Sequence, residues 1–261
     1  MNAGTFEGDI DEIKFVKLFN TNKQAFLDYT NSFNLVKSYW MVRVTSKQLS
    51  TLSNQKVFTR ADAYLIISNQ DLSALVLQND GYLDESILEQ NNISYSFVPY
   101  SGVSVKMTSS SNYQILKTGP HSFSELFGSY ELGAGASLFC MREEELPKNE
   151  ALLDGWKTSV SSMCAFFKEF INGDARFYLN QDICKAIKNY SCKAIESMIV
   201  NSKELQEKIF NGKGLYAEPY TAWYFYHGNN LAELTVIPFS VTTGSGRSHG
   251  DYTIVLKPIC H

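Results

Sequence analysis

Residues 59–67 have the sequence Thr-Arg-Ala-Asp-Ala-Tyr-Leu-Ile-Ile, in which one acidic residue, Asp62, directly precedes an apolar run. A short apolar run of this kind is typical of a buried strand, so we predict a strand that begins just after Asp62. Residues 102–107 alternate strictly instead, so that two valines and a methionine share one face of a second strand and Ser104 and Lys106 share the other. Neighbouring strands would bring Asp62 close to Lys106.

Further strands and helices are predicted on both sides of this pair. Apolar and alternating runs predict strands over residues 39–44, 93–98, 234–241 and 252–256. Helical spacing of apolar residues predicts helices over residues 10–30, 122–130, 150–171, 183–187 and 194–210. Asp9 is predicted to cap the first helix with Glu12 as its capping-box partner, and residues 108–112 form a polar loop. This order predicts an α/β or α+β fold in which helices flank a mixed central sheet and the C-terminal part is helical.

Composition excludes several classes of protein. The chain has 261 residues, which suits one domain, with a core over about 9–130 and a C-terminal part over about 150–261. Basic residues number 23 and acidic residues 27, so the net charge of −4 rules out a general basic coat for nucleic acid. The sequence has no apolar run long enough to span a membrane, and acidic residues lie near its N-terminus. We therefore expect a soluble, cytoplasmic protein that does not bind membranes.

Several catalytic motifs are missing from the sequence. The five cysteines include no Cys-x-x-Cys pair, and the four histidines are scattered, which argues against a structural zinc site or a zinc hydrolase. The glycine-rich segments at 211–214 and 244–246 lack the spacing of phosphate-binding and dinucleotide-binding loops.

Acidic residues are unevenly distributed along the chain. None occurs in residues 29–61, 90–124 or 234–250, which carry basic and small polar side chains. If these segments fold onto one face, they give a local phosphate-binding surface on an acidic body. The alternative is that such windows arise by chance and the segments stay apart.

Asp62, Ser104 and Lys106 have the chemistry for a phosphodiester site. A carboxylate can hold Mg²⁺, which prefers oxygen ligands, and the metal can lower the pKa of a water for attack on phosphorus. A neighbouring lysine can stabilise the negative charge that develops on the phosphate oxygens. The structural alternatives are that Asp62 caps a turn and that Lys106 is a solvated charge at a strand end.

With these residues in this order, the sequence resembles the PD-(D/E)xK nucleases, and among them the type II restriction endonucleases. The resemblance covers roughly residues 9–127: an acidic first helix, an Asp that opens a strand, a strand that ends in x-x-Lys, a Ser/Thr-rich loop and a helix. Residues 243–254 also resemble DNA-contacting segments of such enzymes. Two positions depart from the pattern, because Ala61 replaces a proline and Ser104 replaces the second acid.

The resemblance implies Mg²⁺-dependent, sequence-specific cleavage of double-stranded DNA that leaves 5′-phosphate ends. It implies that Asp62 binds the metal and that Lys106 assists the attack. Because Ser104 offers only a hydroxyl, another acid must help, and Glu12 on the first helix is the first candidate and Glu125 the second. The residues expected to contact DNA are Gln114, Lys117, Ser245, Arg247 and Ser248.

The resemblance also implies a homodimer, since a duplex cut at a symmetric site needs two active sites, and a DNA methyltransferase encoded nearby. A monomer that nicks twice is the alternative state. Two other functions stay open at this stage: a DNA-binding module on the same scaffold without catalysis, and a nuclease for repair or for RNA.

Overall fold

The computed structural model describes residues 3–35, 38–53, 55–106 and 113–259. The chain divides into two compact units. Unit one consists of Met1–Tyr113 and Glu207–Val236, and unit two of Gln114–Gln206 and Ile237–His261. The predicted core over about 9–130 is therefore divided between the two units.

Unit one contains a mixed sheet and a small hairpin. The strands are β1 (Tyr39–Arg43), β2 (Gln48–Leu49), β3 (Lys56–Val57), β4 (Ala63–Ile67), β5 (Ser96–Phe97), β6 (Val103–Val105), β8 (Tyr224–His227) and β9 (Asn230–Glu233). The sheet has the order β1-β4-β6-β8-β9, and β5 pairs with β4. β6 and β8 run parallel, whereas the other pairs are antiparallel, so the predicted mixed sheet is confirmed.

Helices cover both faces of this sheet. The helices of unit one are α1 (Ala3–Thr21), a 3₁₀ turn (Lys23–Phe26), α2 (Leu27–Asn31), α3 (Ser73–Gln78), α4 (Glu85–Gln90) and a π-helical turn (Glu207–Asn211). On β4, Leu65 belongs to the apolar cluster with α1, while Tyr64 and Ile66 belong to the cluster with α3 and α4. A strand that is buried on both faces reads as a continuous apolar run, which is why the sequence identified β4.

The first helix begins earlier than its sequence predicts. It includes Ala3, so Asp9 lies within the helix and the prediction of Asp9 as its N-cap was wrong. Because a residue at this position cannot cap the helix start, the capping-box role of Glu12 was wrong as well. Phe15, Val16 and Phe19 are buried against the sheet, and this apolar face fixes the orientation of the helix.

Other strand predictions were confirmed with shifted limits. β1, β4 and β6 lie where they were predicted, but the strand predicted over 93–98 is limited to Ser96–Phe97. The β8–β9 hairpin was not predicted, although Gly228 and Asn229 form its turn with positive φ values of 60° and 63°. The predicted face of Met107 and the polar loop over 108–112 lie outside the described residues.

Unit two combines a three-stranded sheet with a helical cluster. Its strands are β7 (Leu116–Thr118), β10 (Phe239–Thr243) and β11 (Ile254–Pro258), with β11 in the centre. The helices are α5 (Pro120–Phe127), α6 (Tyr130–Ser137), α7 (Lys148–Gly155), α8 (Val160–Phe166), α9 (Lys168–Ile171), α10 (Gln181–Asn201) and α11 (Lys203–Gln206). The three 3₁₀ turns are Glu143–Glu145, Phe177–Leu179 and Ser245–His249.

The helix predicted over 150–171 is broken into three pieces. Lys157 adopts a left-handed conformation with φ of 57°, which ends α7, and Ser159 caps the next helix by accepting from the amide of Ser162. The strand predicted over 234–241 begins only at Phe239.

Gly133 on α6 allows close packing, because a Cβ there would lie 2.2 Å from the Trp156 ring. None of the helices in the described part of the chain is long and apolar enough to cross a membrane.

Candidate functional site

Asp62 lies at the start of the central strand β4 and is held there by the sheet. Its amide donates to the carbonyl of Val103 at 2.8 Å, and its own carbonyl accepts from the amide of Val44 at 2.9 Å. These bonds tie Asp62 to both neighbouring strands. The side chain is 18% exposed, so the carboxylate is largely shielded but open on one side.

Three groups from the β6 segment converge on one oxygen of Asp62. Oδ2 accepts from the amide of Val105 at 2.6 Å, from Ser104 Oγ at 3.3 Å and from Lys106 Nζ at 3.4 Å. The amide of Lys106 donates to the carbonyl of Tyr226 at 3.0 Å, so β8 fixes the position where the lysine leaves the sheet. The structure thus brings together the three residues that the sequence singled out on these two strands.

Glu12 reaches the same end of the sheet from α1. Its Oε2 accepts from Arg43 Nε at 2.8 Å, and the same guanidinium donates to Asp9 Oδ1 at 2.5 Å. Arg43 is the last residue of β1 and is 16% exposed. Arg43 lies in the acid-free segment 29–61, and its role at this site was not predicted from the sequence. The signal was its position at the end of a strand next to the one that Asp62 opens.

The negative charge of Asp62 affects the pKa of Glu12. Burial, and next the negative charge of Asp62, raise the pKa of Glu12 from 4.5 to about 7, against the lowering effects of Arg43 and Lys106. Burial disfavours the charged form of Arg43, but hydrogen bonds with Tyr82 and Glu12 raise its pKa above the ordinary value. With Asp9 included, three carboxylates face two cations, which leaves the cluster one negative charge in excess when all are ionised.

This donor set fits Mg²⁺ in part. Mg²⁺ is usually held by one or two carboxylates, with water and substrate phosphates completing its shell, and Asp62 and Glu12 supply two carboxylates. A cation would also relieve the repulsion that raises the pKa of Glu12. Among the described residues, no three or more His, Cys, Asp and Glu side chains form a group that could hold a metal ion. Water and substrate oxygens would therefore supply most of the ligands.

The residues predicted to contact DNA belong to unit two. Arg247 faces inward: its Nη1 donates to the carbonyls of Ser137 at 2.6 Å and Leu138 at 3.1 Å, and its guanidinium lies 3.9 Å from the centre of the Phe139 ring. These contacts give Arg247 a role in the fold of unit two. Its predicted DNA contact stays a prediction.

The other predicted residues of unit two are nearer the solvent. Ser245 and Ser248 lie in the same 3₁₀ turn as Arg247, and Gln114 is exposed. Lys117 on β7 forms an ion pair with Asp251 at 2.9 Å. Glu125, the second candidate for a metal ligand, is exposed on α5. Glu12 belongs to the same unit as Asp62, and its pKa is raised in part by the Asp62 charge, so it is the candidate acid that unit one brings near Asp62.

Neither a family model, nor a curated protein, nor a solved structure matches this chain. The fold and site by themselves define a mixed α/β protein. At one end of its sheet, three carboxylates, a lysine and an arginine form ion pairs with one another across α1, β1, the start of β4 and the β6 segment.

Proposed function

We propose that the chain is a Mg²⁺-dependent type II restriction endonuclease with a restriction-endonuclease-like core, which hydrolyses double-stranded DNA to 5′-phosphate and 3′-hydroxyl ends. The observation that carries the proposal is the convergence of Lys106 and Ser104 on Asp62. Glu12 belongs to the same cluster, because the charge of Asp62 raises its pKa. Acidic groups and one lysine at the end of a sheet are the parts that phosphodiester hydrolysis requires.

Each residue has a role that follows from its position. Asp62 and Glu12 would hold the Mg²⁺, which when bound supplies a Lewis acid and a water of lowered pKa. Ser104 donates to Asp62 Oδ2 and so orients the carboxylate, and its oxygen is also available to a metal or to water. Lys106 lies 3.4 Å from the same oxygen, where its ammonium would stabilise charge on the phosphate oxygens during attack.

The position of Glu12 can compensate for Ser104, which stands where the family pattern has a second acid. A nuclease of this kind needs a second carboxylate, and a hydroxyl at position 104 cannot supply its charge. The first helix brings Glu12 to the same end of the sheet, where Arg43 fixes one of its oxygens. We therefore propose that the second acid comes from α1 instead of from β6.

Plasmid cleavage tests the proposal. Supercoiled DNA should be cut to fixed fragments with Mg²⁺ and left intact with EDTA, and Asp62→Ala and Lys106→Ala should each abolish cutting while DNA binding persists. Asp71→Ala is a matched control, because this aspartate is exposed on the segment before α3 and should cut normally. Normal cutting by Asp62→Ala or Lys106→Ala would show that the roles assigned here are wrong.

A DNA-binding module without catalysis is the second candidate, and Ser104 favours it, because this residue replaces an acid. Such a protein would bind DNA in a salt-sensitive way, would be indifferent to Mg²⁺ and would give no product. A repair nuclease would give a smear from genomic DNA where a restriction enzyme gives fixed fragments, whereas a nuclease for RNA would leave the DNA uncut.

We also propose that the active state is a homodimer on a symmetric DNA site, with Gln114, Lys117, Ser245, Arg247 and Ser248 contributing DNA contacts from unit two. Sedimentation with and without a cognate duplex would separate this state from a monomer that nicks twice. A DNA methyltransferase encoded beside this chain would support the restriction class.

A further inference from the structure

The small β2–β3 hairpin of unit one rises from the same end of the sheet as the candidate site. It follows Arg43, the last residue of β1, and ends just before Asp62, the residue that opens β4. The amide of Val44 donates to the carbonyl of Asp62 at 2.9 Å, so the segments that enter and leave the hairpin are hydrogen-bonded to each other. The segment that carries the hairpin therefore begins and ends beside Asp62.

One face of the hairpin presents two lysines and two large apolar side chains. The register pairs Gln48 with Val57 and Leu49 with Lys56, and because side chains alternate along a strand, Lys47 and Phe58 share the face of Leu49 and Lys56. All four are exposed; Leu49 is 64% exposed and Phe58 72%. The ammonium of Lys47 lies 4.8 Å from the centre of the Phe58 ring, which confirms that the two share a face.

The hairpin is held in place by hydrogen bonds on both sides. The carboxylate of Glu85 accepts from the amides of Thr45 and Ser46 at 3.0 and 2.9 Å. From the other side, the hydroxyl of Tyr216 donates to the carbonyl of Phe58 at 3.2 Å, and the hydroxyl of Thr51 donates to the carbonyl of Gly214 at 3.1 Å. A surface that is fixed before binding loses less entropy when a ligand arrives.

We infer that this face is a contact surface for duplex DNA, in which Lys47 and Lys56 bind backbone phosphates and Phe58 inserts against the bases. Charge supports this occupant, since residues 29–61 contain no acidic residue and the whole chain is acidic. Apolar side chains between basic ones are typical of elements that enter a groove and press against base steps. The inference rests on the proposed function and adds to it a DNA-contacting element in unit one.

DNA affinity as a function of salt tests the inference. Binding of the full chain to a fluorescent duplex is measured by anisotropy in EDTA, so that no cleavage occurs. Lys47→Ala with Lys56→Ala should make the negative slope of log affinity against log salt shallower by about 2, because each phosphate contact contributes about −0.9. Phe58→Ala should weaken binding about tenfold and leave the slope unchanged, since it removes apolar contact with bases.

Matched variants separate this surface from general charge. Lys185→Ala with Lys193→Ala removes the same charge from exposed positions on α10 and should leave the slope unchanged. Lys47→Arg with Lys56→Arg should keep the wild-type slope. An unchanged slope in the hairpin alanine variant, or an equal loss in the α10 variant, overturns the inference. The double variant Leu49→Ala with Phe58→Ala gives a further test. If it changes the sedimentation mass but not the DNA affinity, the face is an interface between copies of the chain and the inference is overturned.

The two proposals fail in different ways. If the wild type cuts plasmid with Mg²⁺ and the hairpin variants bind and cut as it does, the hairpin inference is wrong and the nuclease proposal stands. If binding depends on the hairpin but no product forms with Mg²⁺, the nuclease proposal is wrong and the hairpin inference stands. Absence of any DNA binding by the wild type refutes both.

Discussion

Replacing Glu12 by Gln should make the protein more stable above pH 7 while it removes a ligand of the proposed metal. The Glu12 side chain is 20% exposed, and its pKa is raised from 4.5 to about 7, first by burial and next by the charge of Asp62. Glutamine has nearly the same shape but no charge. It also keeps an oxygen that can accept from Arg43 Nε, so the contact that Glu12 makes at 2.8 Å can persist.

The magnitude follows from the pKa of Glu12. One pKa unit corresponds to about 1.4 kcal/mol, so the move from 4.5 to about 7 corresponds to about 3 kcal/mol. The folded state holds this proton more tightly than the unfolded state between those two values. The stability that the protonated form contributes is therefore complete below pH 4.5 and is lost as the pH rises to about 7. Glu12→Gln does not undergo this loss, so its advantage should be near zero at pH 4.5 and about 2–3 kcal/mol at pH 8.

Urea denaturation at a series of pH values measures this difference, and hydrogen exchange at the amides of β4 and β6 assigns it to unit one. Asp9→Asn is the matched control, because it removes the same charge from the same arginine. Asp9 is 46% exposed, so its loss should lower the free energy of unfolding by less than about 1 kcal/mol. If Glu12→Gln is less stable than the wild type at pH 8, attraction to Arg43 outweighs burial and repulsion, and the reasoning is refuted.

Two further predictions concern unit two. Arg247→Lys keeps the charge but cannot reach both backbone carbonyls in the same way, so the free energy of unfolding should fall by about 1–2 kcal/mol; an unchanged urea midpoint would argue that the inward contacts add nothing. Asn149 is fully buried, and its side chain accepts from the amide of Phe139 and donates to its carbonyl. Asn149→Leu should therefore lower the free energy of unfolding by about 2–4 kcal/mol, which thermal unfolding measures. A loss below about 1 kcal/mol would show that these buried groups find other partners.

The central sheet was predictable because its strands carry strong local signals. The apolar run of β4 follows directly from burial on both faces. β6 is buried along its whole length, and its alternation separates an apolar face from the face on which Ser104 bonds Asp62. The β8–β9 hairpin was not predicted, although Tyr226 of β8 is buried in the core of unit one. The Gly228-Asn229 turn was the available signal, since both residues need positive φ in a tight hairpin. β8 is also the partner of β6, and no local pattern encodes that long-range parallel pairing.

The site was predictable only in part for a similar reason. Asp62, Ser104 and Lys106 could be grouped because each stands at a fixed place in a predicted strand. Glu12 was also a candidate, but the start of α1 at Ala3 instead of Ile10 removed its capping role and left the contact with Arg43. That contact joins a helix to a strand 31 residues later, and such a pairing depends on packing that local sequence does not determine.

The proposed metal site gives a reason for an acid at position 12 in addition to the ion pair with Arg43. Arg43 already has a carboxylate partner in Asp9, so a neutral residue at position 12 could satisfy the remaining donor without bringing a second charge close to Asp62. By linkage, a pKa of Glu12 that is raised by burial corresponds to a loss of stability at neutral pH. Costs of this kind are typical of residues that are kept for activity. A divalent cation between Asp62 and Glu12 would turn the repulsion into attraction, and the lysines of the β2–β3 hairpin would bring a phosphate backbone to the same end of the sheet. The cost at Glu12 and the exposed hairpin face thus favour the same ligand, a metal-bound phosphodiester of DNA.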